Sequence, residues 1–161
     1  MAVVDEAILN TTGIQLKDAF VVIVRTEWND HVVDILEQGA SKVLQQHNVN
    51  FKIINVPGAF EIPFTIKQFS QLAEKQPDAF IALGCVIRGN TPHFEYVSKA
   101  VTDGIVQLNL SLPVPVIFGV LTVDNQVQAD ERTGGRHGHK GEEAAYTAIK
   151  MISILQSFKP S

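Results

Sequence analysis

The fold of this chain is decided by the run Ala79-Phe80-Ile81-Ala82-Leu83-Gly84, which is apolar throughout and ends in glycine. Such a run is typical of a parallel strand that helices cover on both faces, because neither face of the strand then meets water. Similar short runs occupy residues 19–24 and 51–56 before it and residues 114–121 after it. The sequence therefore predicts four buried strands that pair in parallel.

Segments with apolar residues at helical spacing separate these strands. The segment after the first strand carries a stripe of this kind, made of Val32, Val33, Leu36, Ala40, Val43 and Leu44. Further helices are predicted over residues 59 to about 75, after residue 90, near residues 127–132 and over residues 142–158. This alternation predicts an α/β fold: a three-layer sandwich in which a four-stranded parallel, flavodoxin-like sheet is flanked by helices on both faces.

The chain shows no linker, internal repeat or low-complexity tract, so we expect residues 1–161 to form one domain. Residues 1–17 are expected to form an N-terminal tail. Its apolar pieces, Val3-Val4 and Ile8-Leu9, could pair with the open sheet edge of a neighbouring subunit.

Composition and charge exclude several classes of protein. The net charge of the 161 residues is -4, whereas a nucleic-acid binder usually carries a basic excess. No apolar run approaches the roughly 20 residues that cross a bilayer, so we expect no membrane partner. The first ten residues contain Asp5 and Glu6 and no basic residue, unlike a signal peptide. The single cysteine, Cys85, excludes a disulfide framework and favours a reducing compartment, so we expect a cytoplasmic protein.

Ligands of open α/β sheets bind beyond the carboxyl ends of the strands. Four segments are predicted to meet there: residues 25–30, 56–61, 85–93 and 122–125. In the third of these, Thr91 could cap a helix whose first position is Pro92, which leaves backbone N–H groups for an anion such as phosphate. The alternative is an ordinary turn between a strand and a helix.

His93 falls in the first turn of that helix, where the positive end of the helix dipole favours a neutral imidazole. Such a group could act as a general base, or it could be a plain surface histidine. Trp28, the only tryptophan, could stack on a heterocycle at the mouth of a pocket or anchor its loop on the next helix. Glu61 could accept a hydroxyl group or complement a helix dipole.

A basic cluster precedes the last helix and contains Arg132, Arg136, His137, His139 and Lys140. Arginine binds phosphate through two parallel hydrogen bonds, and the glycines between these residues predict an adaptable segment. No carboxylate or cysteine stands at ligand spacing from the two histidines, so we expect no metal. Cys85 could be a nucleophile beside His93 or a small buried apolar residue.

Taken together, five segments of this chain closely resemble the lumazine synthase family. They follow one another from about Phe20 to the C-terminus and comprise Trp28-Asn29, residues 56–63, residues 84–97, residues 118–122 and Lys140-Gly141. The resemblance implies that the chain condenses 5-amino-6-(D-ribitylamino)uracil with 3,4-dihydroxy-2-butanone 4-phosphate to 6,7-dimethyl-8-ribityllumazine, releasing phosphate and water. This is the penultimate step of riboflavin biosynthesis, and the family uses neither a metal nor an organic cofactor.

The same resemblance implies a role for each site residue. Trp28 would stack on the pyrimidine, and Glu61 would bind a ribityl hydroxyl. The remaining contacts to the ribityl-uracil would come from Ala59, Phe60, Cys85, Val86 and Ile87. The phosphate would be held by Asn90, Thr91 and Arg132, while His93 would transfer protons. Phe118 and Lys140 would complete the pocket.

The family also builds its site between the subunits of a homopentamer, with Phe118, Arg132 and Lys140 approaching from the neighbour. A shell of 60 subunits and an association with riboflavin synthase are further expectations. Two rival functions stay open from the sequence. A cysteine-histidine hydrolase or amidotransferase would use Cys85 and His93, and a non-catalytic flavin or nucleotide carrier would use the same pocket mouth.

Overall fold

Four parallel strands form the central sheet of the protein, whose computed structural model describes residues 5–160. The strands are β1 (Phe20–Thr26), β2 (Asn50–Val56), β3 (Ala79–Ile87) and β4 (Val116–Val123), and their order across the sheet is β2-β1-β3-β4. All three pairings are parallel. The predicted four-stranded parallel sheet is thereby confirmed.

Six helices and a small hairpin complete the described chain. The helices are α1 (Glu6–Leu9), α2 (Asp30–Gln46), α3 (Ile62–Leu72), α4 (His93–Ser111), α5 (Gln126–Glu131) and α6 (Lys140–Ser157). A 3₁₀ turn, Ala59–Glu61, leads into α3. The hairpin pairs β5 (Thr133–Gly135) with β6 (Gly138–His139). Among residues 5–160, no helix has the length and apolar character needed to cross a bilayer.

Two apolar cores lie on opposite faces of the sheet, because successive strand side chains point to alternate faces. Val21 and Ile23 of β1 pack with α2 and α6, whereas Val22 and Val24 pack with α3 and α4. Both faces of β1 are therefore buried, as its unbroken apolar run predicts. The predicted sandwich of helix, sheet and helix layers is confirmed.

The strands β3 and β4 run further than predicted. We expected a loop from Cys85 to residue 90, but residues 85–87 continue β3 and pair with residues 121–123 of β4. The extension arises because each strand supplies the hydrogen-bonding partners of the other, which residue preferences alone do not reveal. Its consequence is that the backbone of Cys85, Val86 and Ile87 is held rigidly at the carboxyl edge of the sheet.

The described part of the N-terminal segment, whose apolar pieces are expected to pair with a neighbouring subunit, is helical within the single chain. Ile8 and Leu9 belong to the short helix α1, and Lys150 of α6 donates a hydrogen bond from Nζ to the carbonyl of Ala7. Val3 and Val4 lie outside the described residues. The physical reason is local: the carboxylate of Asp5 caps α1 by accepting a hydrogen bond from the N–H of Ala7.

The segment between α5 and α6, which its glycines predict to be adaptable, forms a short antiparallel hairpin. Gly134 and Gly138 adopt φ angles of 105° and 85°, which are accessible to glycine without steric cost. His139 then caps α6, since its Nδ1 accepts a hydrogen bond from the N–H of Glu142. The hairpin thereby sets the positions of Arg132 before it and Lys140 after it.

Candidate active site

A cavity of about 640 Å³ opens beyond the carboxyl ends of β1 and β3. It brings together most of the residues that the sequence singled out: Trp28, Ala59, Phe60, Glu61, Cys85, Val86, Ile87, Thr91 and His93. Asn90 stands between Gly89 and Thr91, which both line the cavity. The cavity is also lined by Thr26, Asn29, Gly58, Phe94 and Val97, to which the sequence alone assigned no individual role. The predicted location at this edge of the sheet therefore agrees with the shape of the molecule.

Two exposed aromatic side chains border the cavity. Trp28 is 75% exposed and Phe60 is 65% exposed, which is far more than the core allows for residues of this size. Neither ring therefore anchors its own segment by packing, and both present apolar surface toward the cavity. A flat heterocycle that entered between such rings would bury part of this surface.

Glu61 brings a carboxylate to the same cavity. One of its oxygens lies over Gly58, where a β-carbon would approach Oε2 to 3.1 Å. No described residue donates a hydrogen bond to this carboxylate, so both of its oxygens can accept hydrogen bonds from a ligand. The carboxylate can therefore recognise hydroxyl groups of a bound molecule.

The helix α4 begins at His93, one residue later than predicted. Pro92 occupies the N-cap position, and no side chain caps the helix, so the expected capping by Thr91 is wrong. Proline at the cap offers no side-chain acceptor, and the first backbone N–H groups of α4 are left without a capping partner. The hydroxyl of Thr91 and the ring of His93 make no hydrogen bond to the described residues. This end of the cavity can therefore accept an anion and exchange a proton.

Arg88 holds the loop that leads to α4, a role that the sequence pattern alone does not reveal. Its Nε donates a hydrogen bond of 2.8 Å to Oδ1 of Asp124, and its Nη1 donates to Glu95. Its guanidinium also lies 4.2 Å above the ring of Phe94. These contacts lower the pKa of both carboxyl groups, chiefly through hydrogen bonding to Arg88. Arg88 therefore ties the ends of β3, β4 and α4 together beside the cavity.

Cys85 reaches the cavity at the end of β3, but its side chain belongs to the core between the sheet, α2 and α6. Burial raises the pKa of the thiol to about 11, so the group is neutral near pH 7. A nucleophilic cysteine needs the thiolate. The reading of Cys85 as a small buried residue is thereby favoured, and the cysteine-histidine hydrolase loses its nucleophile.

Besides Asn90, which does not itself line the cavity although both its neighbours do, three of the expected site residues do not line it: Phe118, Arg132 and Lys140. Phe118 packs against the core on the α3 and α4 face. Arg132 forms two parallel hydrogen bonds of 2.9 Å with Glu143 of α6, on the opposite face of the sheet. Within one chain, these residues and the cavity are therefore separate.

Two members of the basic cluster lie beside carboxylates. Arg132 faces the buried carboxylate of Glu143, and His137 lies 3.6 Å from Glu131. Burial lowers the pKa of Lys140, and the neighbouring Arg132 adds to that effect while Glu143 opposes it. Burial also lowers the pKa of His139. Within residues 5–160, no group of three or more His, Cys, Asp or Glu side chains could hold a metal ion.

Comparison with known proteins identifies close relatives of the chain. Residues 18–156 match the family model described as 6,7-dimethyl-8-ribityllumazine synthase. A protein of that name from Parabacteroides distasonis is 48% identical over 135 residues, which cover 82% of this chain and 83% of the relative. The protein of that name from Porphyromonas gingivalis is 46% identical over 141 residues, with 86% of each chain covered. The protein of that name from Cytophaga hutchinsonii is 47% identical over 134 residues, which cover 81% of this chain and 83% of the relative.

Proposed function

The chain belongs to the 6,7-dimethyl-8-ribityllumazine synthase family, and we propose that the cavity beyond its sheet is where the family's reaction takes place. The protein is a transferase of riboflavin biosynthesis. It condenses 5-amino-6-(D-ribitylamino)uracil with 3,4-dihydroxy-2-butanone 4-phosphate to 6,7-dimethyl-8-ribityllumazine, releasing phosphate and water. The observation that carries the placement is that the aromatic rings, a free carboxylate, an uncapped helix start and His93 share one cavity.

The ribityl-uracil binds on the side of the cavity formed by β1, the 3₁₀ turn and β3. Trp28 stacks on the pyrimidine, and Phe60 covers the ligand from the other rim. Glu61 accepts a hydrogen bond from a ribityl hydroxyl, which its free carboxylate oxygens favour. Further contacts come from backbone groups of Ala59, Cys85, Val86 and Ile87, which the turn and the ladder of β3 hold in place.

The ketone phosphate binds at the start of α4. Asn90, Thr91 and the unpaired N–H groups of that helix surround the phosphate, where the helix dipole favours negative charge. The ring amine attacks the ketone, and an imine forms with loss of one water. Phosphate then leaves, the resulting enol becomes a ketone, and the ribityl-bearing nitrogen attacks this carbonyl to close the ring with loss of a second water. Each step moves protons, and His93 transfers them at the start of the same helix. Holding both substrates in one orientation contributes much of the rate.

The phosphate site is completed by a second subunit in this proposal. Arg132 engages Glu143 through Nη1 and Nη2, which leaves Nε and the outer N–H of Nη2 for an anion. Lys140 makes no side-chain hydrogen bond to the described residues and lies near this guanidinium. Because neither lines the cavity of its own chain, we assign them, with Phe118, to the cavity of a neighbouring subunit.

This assignment requires an assembly with heterologous contacts that close into a ring. We infer a homopentamer, with a shell of 60 subunits as a higher form that could associate with riboflavin synthase. Residues 1–161 make up one domain in this proposal, since one sheet supports both cores. The single buried cysteine suits the reducing cytoplasm, where we place the protein.

Mixing the two substrates with the enzyme and following the lumazine chromophore tests the proposal directly. Arg132→Ala should raise KM for the ketone phosphate by about 10- to 100-fold, because a charge-assisted contact contributes on the order of 1.5–3 kcal/mol. The same change should leave KM for the ribityl-uracil nearly unaltered. Equal losses for both substrates would contradict the phosphate role.

His93→Gln should lower kcat while it leaves both KM values close to those of the wild type. A positioned proton-transfer group contributes about 10²–10⁴-fold, and the lower end is expected here because water can also carry protons. Wild-type turnover across the pH range would reject the role of His93. A protein that bound lumazine yet formed no product would instead be the non-catalytic carrier.

A further inference from the structure

We propose that Asn29 is a positioning residue that holds Trp28 at the mouth of the cavity, an inference that rests on the stacking role proposed for Trp28. Asn29 follows Trp28 directly and itself lines the cavity. Its side-chain Nδ2 donates a hydrogen bond of 2.8 Å to the carbonyl of Cys85, which lies 56 positions away in the sequence. This bond joins the loop after β1 to the end of β3.

The backbone of Asn29 is in the left-handed region, with φ of 59° and ψ of 42°. Residues other than glycine rarely adopt this conformation, although asparagine tolerates it better than most. The conformation turns the chain from β1 into α2 while the amide group of Asn29 faces β3. The cost of this conformation is offset here by a side-chain bond that connects two elements of the site.

Capping of α2 does not explain the residue. Asn29 is at the N-cap position, but its side chain makes no capping hydrogen bond. At this end of α2 the backbone carbonyl of Asn29 accepts hydrogen bonds from the N–H groups of Val32 and Val33, and the carboxylate of Asp30 accepts one from the N–H of His31. The amide group is therefore used for the contact with Cys85 and not for the helix.

Trp28 needs such a support because its side chain has little packing of its own. Only its backbone is fixed: its N–H donates to the carbonyl of Pro57 over 3.1 Å, and its carbonyl accepts from Oγ1 of Thr26 over 3.2 Å. Both contacts lie on the β1 and β2 side of the loop. The bond from Asn29 to Cys85 is the contact that ties this loop to β3, where the ligand ring is proposed to lie.

The test compares Asn29→Asp and Asn29→Gly in the assembled enzyme. Aspartate and glycine both accept a left-handed backbone. Each removes the hydrogen bond to Cys85, because aspartate places an oxygen opposite its carbonyl and glycine has no side chain. Because a hydrogen bond contributes modestly in net terms, KM for the ribityl-uracil should rise about two- to tenfold in each variant. The values of kcat and of KM for the ketone phosphate should stay near those of the wild type.

Trp28 provides a spectroscopic readout, since it is the only tryptophan. Time-resolved fluorescence anisotropy should show a larger fast component in both variants, and quenching by the lumazine product should need more ligand. Asn48 supplies the matched control, because it is another left-handed asparagine, with φ of 55°, and lies outside the cavity. Asn48→Gly and Asn48→Asp should leave the anisotropy of Trp28 and all kinetic constants unchanged.

Three results would overturn the inference. A wild-type KM and anisotropy in Asn29→Gly would show that the bond to Cys85 is dispensable. A parallel loss in kcat, both KM values and thermal stability would show a general structural role. If the product does not quench the fluorescence of Trp28 in the wild type, the stacking role itself is refuted. If it does, and the Asn29 variants keep the wild-type KM and anisotropy, only the positioning role is refuted.

Discussion

Two chains that are each impaired at low concentrations of the ketone phosphate should restore activity when they assemble together, because the proposed site takes its cavity from one subunit and Arg132 from the next. One chain carries Trp28→Ala and His93→Ala, and these residues line one cavity. The other carries Arg132→Ala, and in the wild type this arginine is bonded to Glu143 beyond that cavity. In an assembly made from either variant chain alone, every site therefore contains a substituted residue.

The expected recovery follows from the heterologous interface. An intact site needs an unaltered cavity from the Arg132→Ala chain and an unaltered arginine from its neighbour. At equal amounts and random order around a closed ring, about one quarter of the interfaces meet both conditions. The recovered activity should therefore approach one quarter of the wild-type value, peak at a one-to-one ratio and fall to the level of the pure variants at either end.

The assay unfolds and refolds the chains as a mixture, then follows lumazine formation, with mass measurement to establish the size of the assembly. The matched control mixes a Trp28→Ala chain with a His93→Ala chain. Because both lesions fall in the same cavity, this mixture should regain nothing at any ratio. Absence of recovery in the first mixture, recovery in the control, or an active monomer would each refute the shared site.

Three further outcomes follow from the packing and the charges. Cys85→Ser should keep most of the activity. Alkylation of the folded wild type at pH 8 should be slow, since the thiol has a pKa of about 11. An inactive but folded serine variant would instead support a nucleophilic role for Cys85. Gly141→Ala places a β-carbon against the carbonyl of Leu36, so the free energy of unfolding in urea should fall by about 1–3 kcal/mol. Gly89→Ala is the control: its β-carbon meets nothing within 4 Å, and the urea midpoint should stay unchanged. Burial lowers the pKa of Lys140, so the folded state disfavours its charged form. At pH 7 the melting temperature of Lys140→Met should therefore be higher than that of the wild type. This difference should shrink as the pH rises toward 10.5, the ordinary lysine value.

The arrangement of strands and helices could be predicted because local patterns reflect burial. An unbroken apolar run such as residues 79–84 has no polar face to show to water, so it fits a strand covered on both sides. The stripe from Val32 to Leu44 repeats with the helical period and predicts α2. The position of the cavity could also be predicted, since the carboxyl ends of parallel strands meet at one edge.

Local patterns also predicted some boundaries wrongly. They ended β3 at Gly84 and placed a cap at Thr91, but the strand runs to Ile87 and α4 begins at His93. The last residues of β3 are strand because β4 offers partners to their backbone. Those partners are about 36 positions away, so no short window of sequence contains them.

By itself, therefore, the sequence determined the element types, the layered fold, the family motifs and the side chains available for chemistry. Only the tertiary structure decided which way those side chains point and what they meet. Strand register turned the thiol of Cys85 into the core. The packing of whole elements joined Asn29 to the carbonyl of Cys85 and paired Arg132 with Glu143, outside the cavity that His93 lines. The physical reason is that burial is recorded in the local spacing of apolar residues, whereas a hydrogen bond or an ion pair between distant segments depends on how whole strands and helices pack.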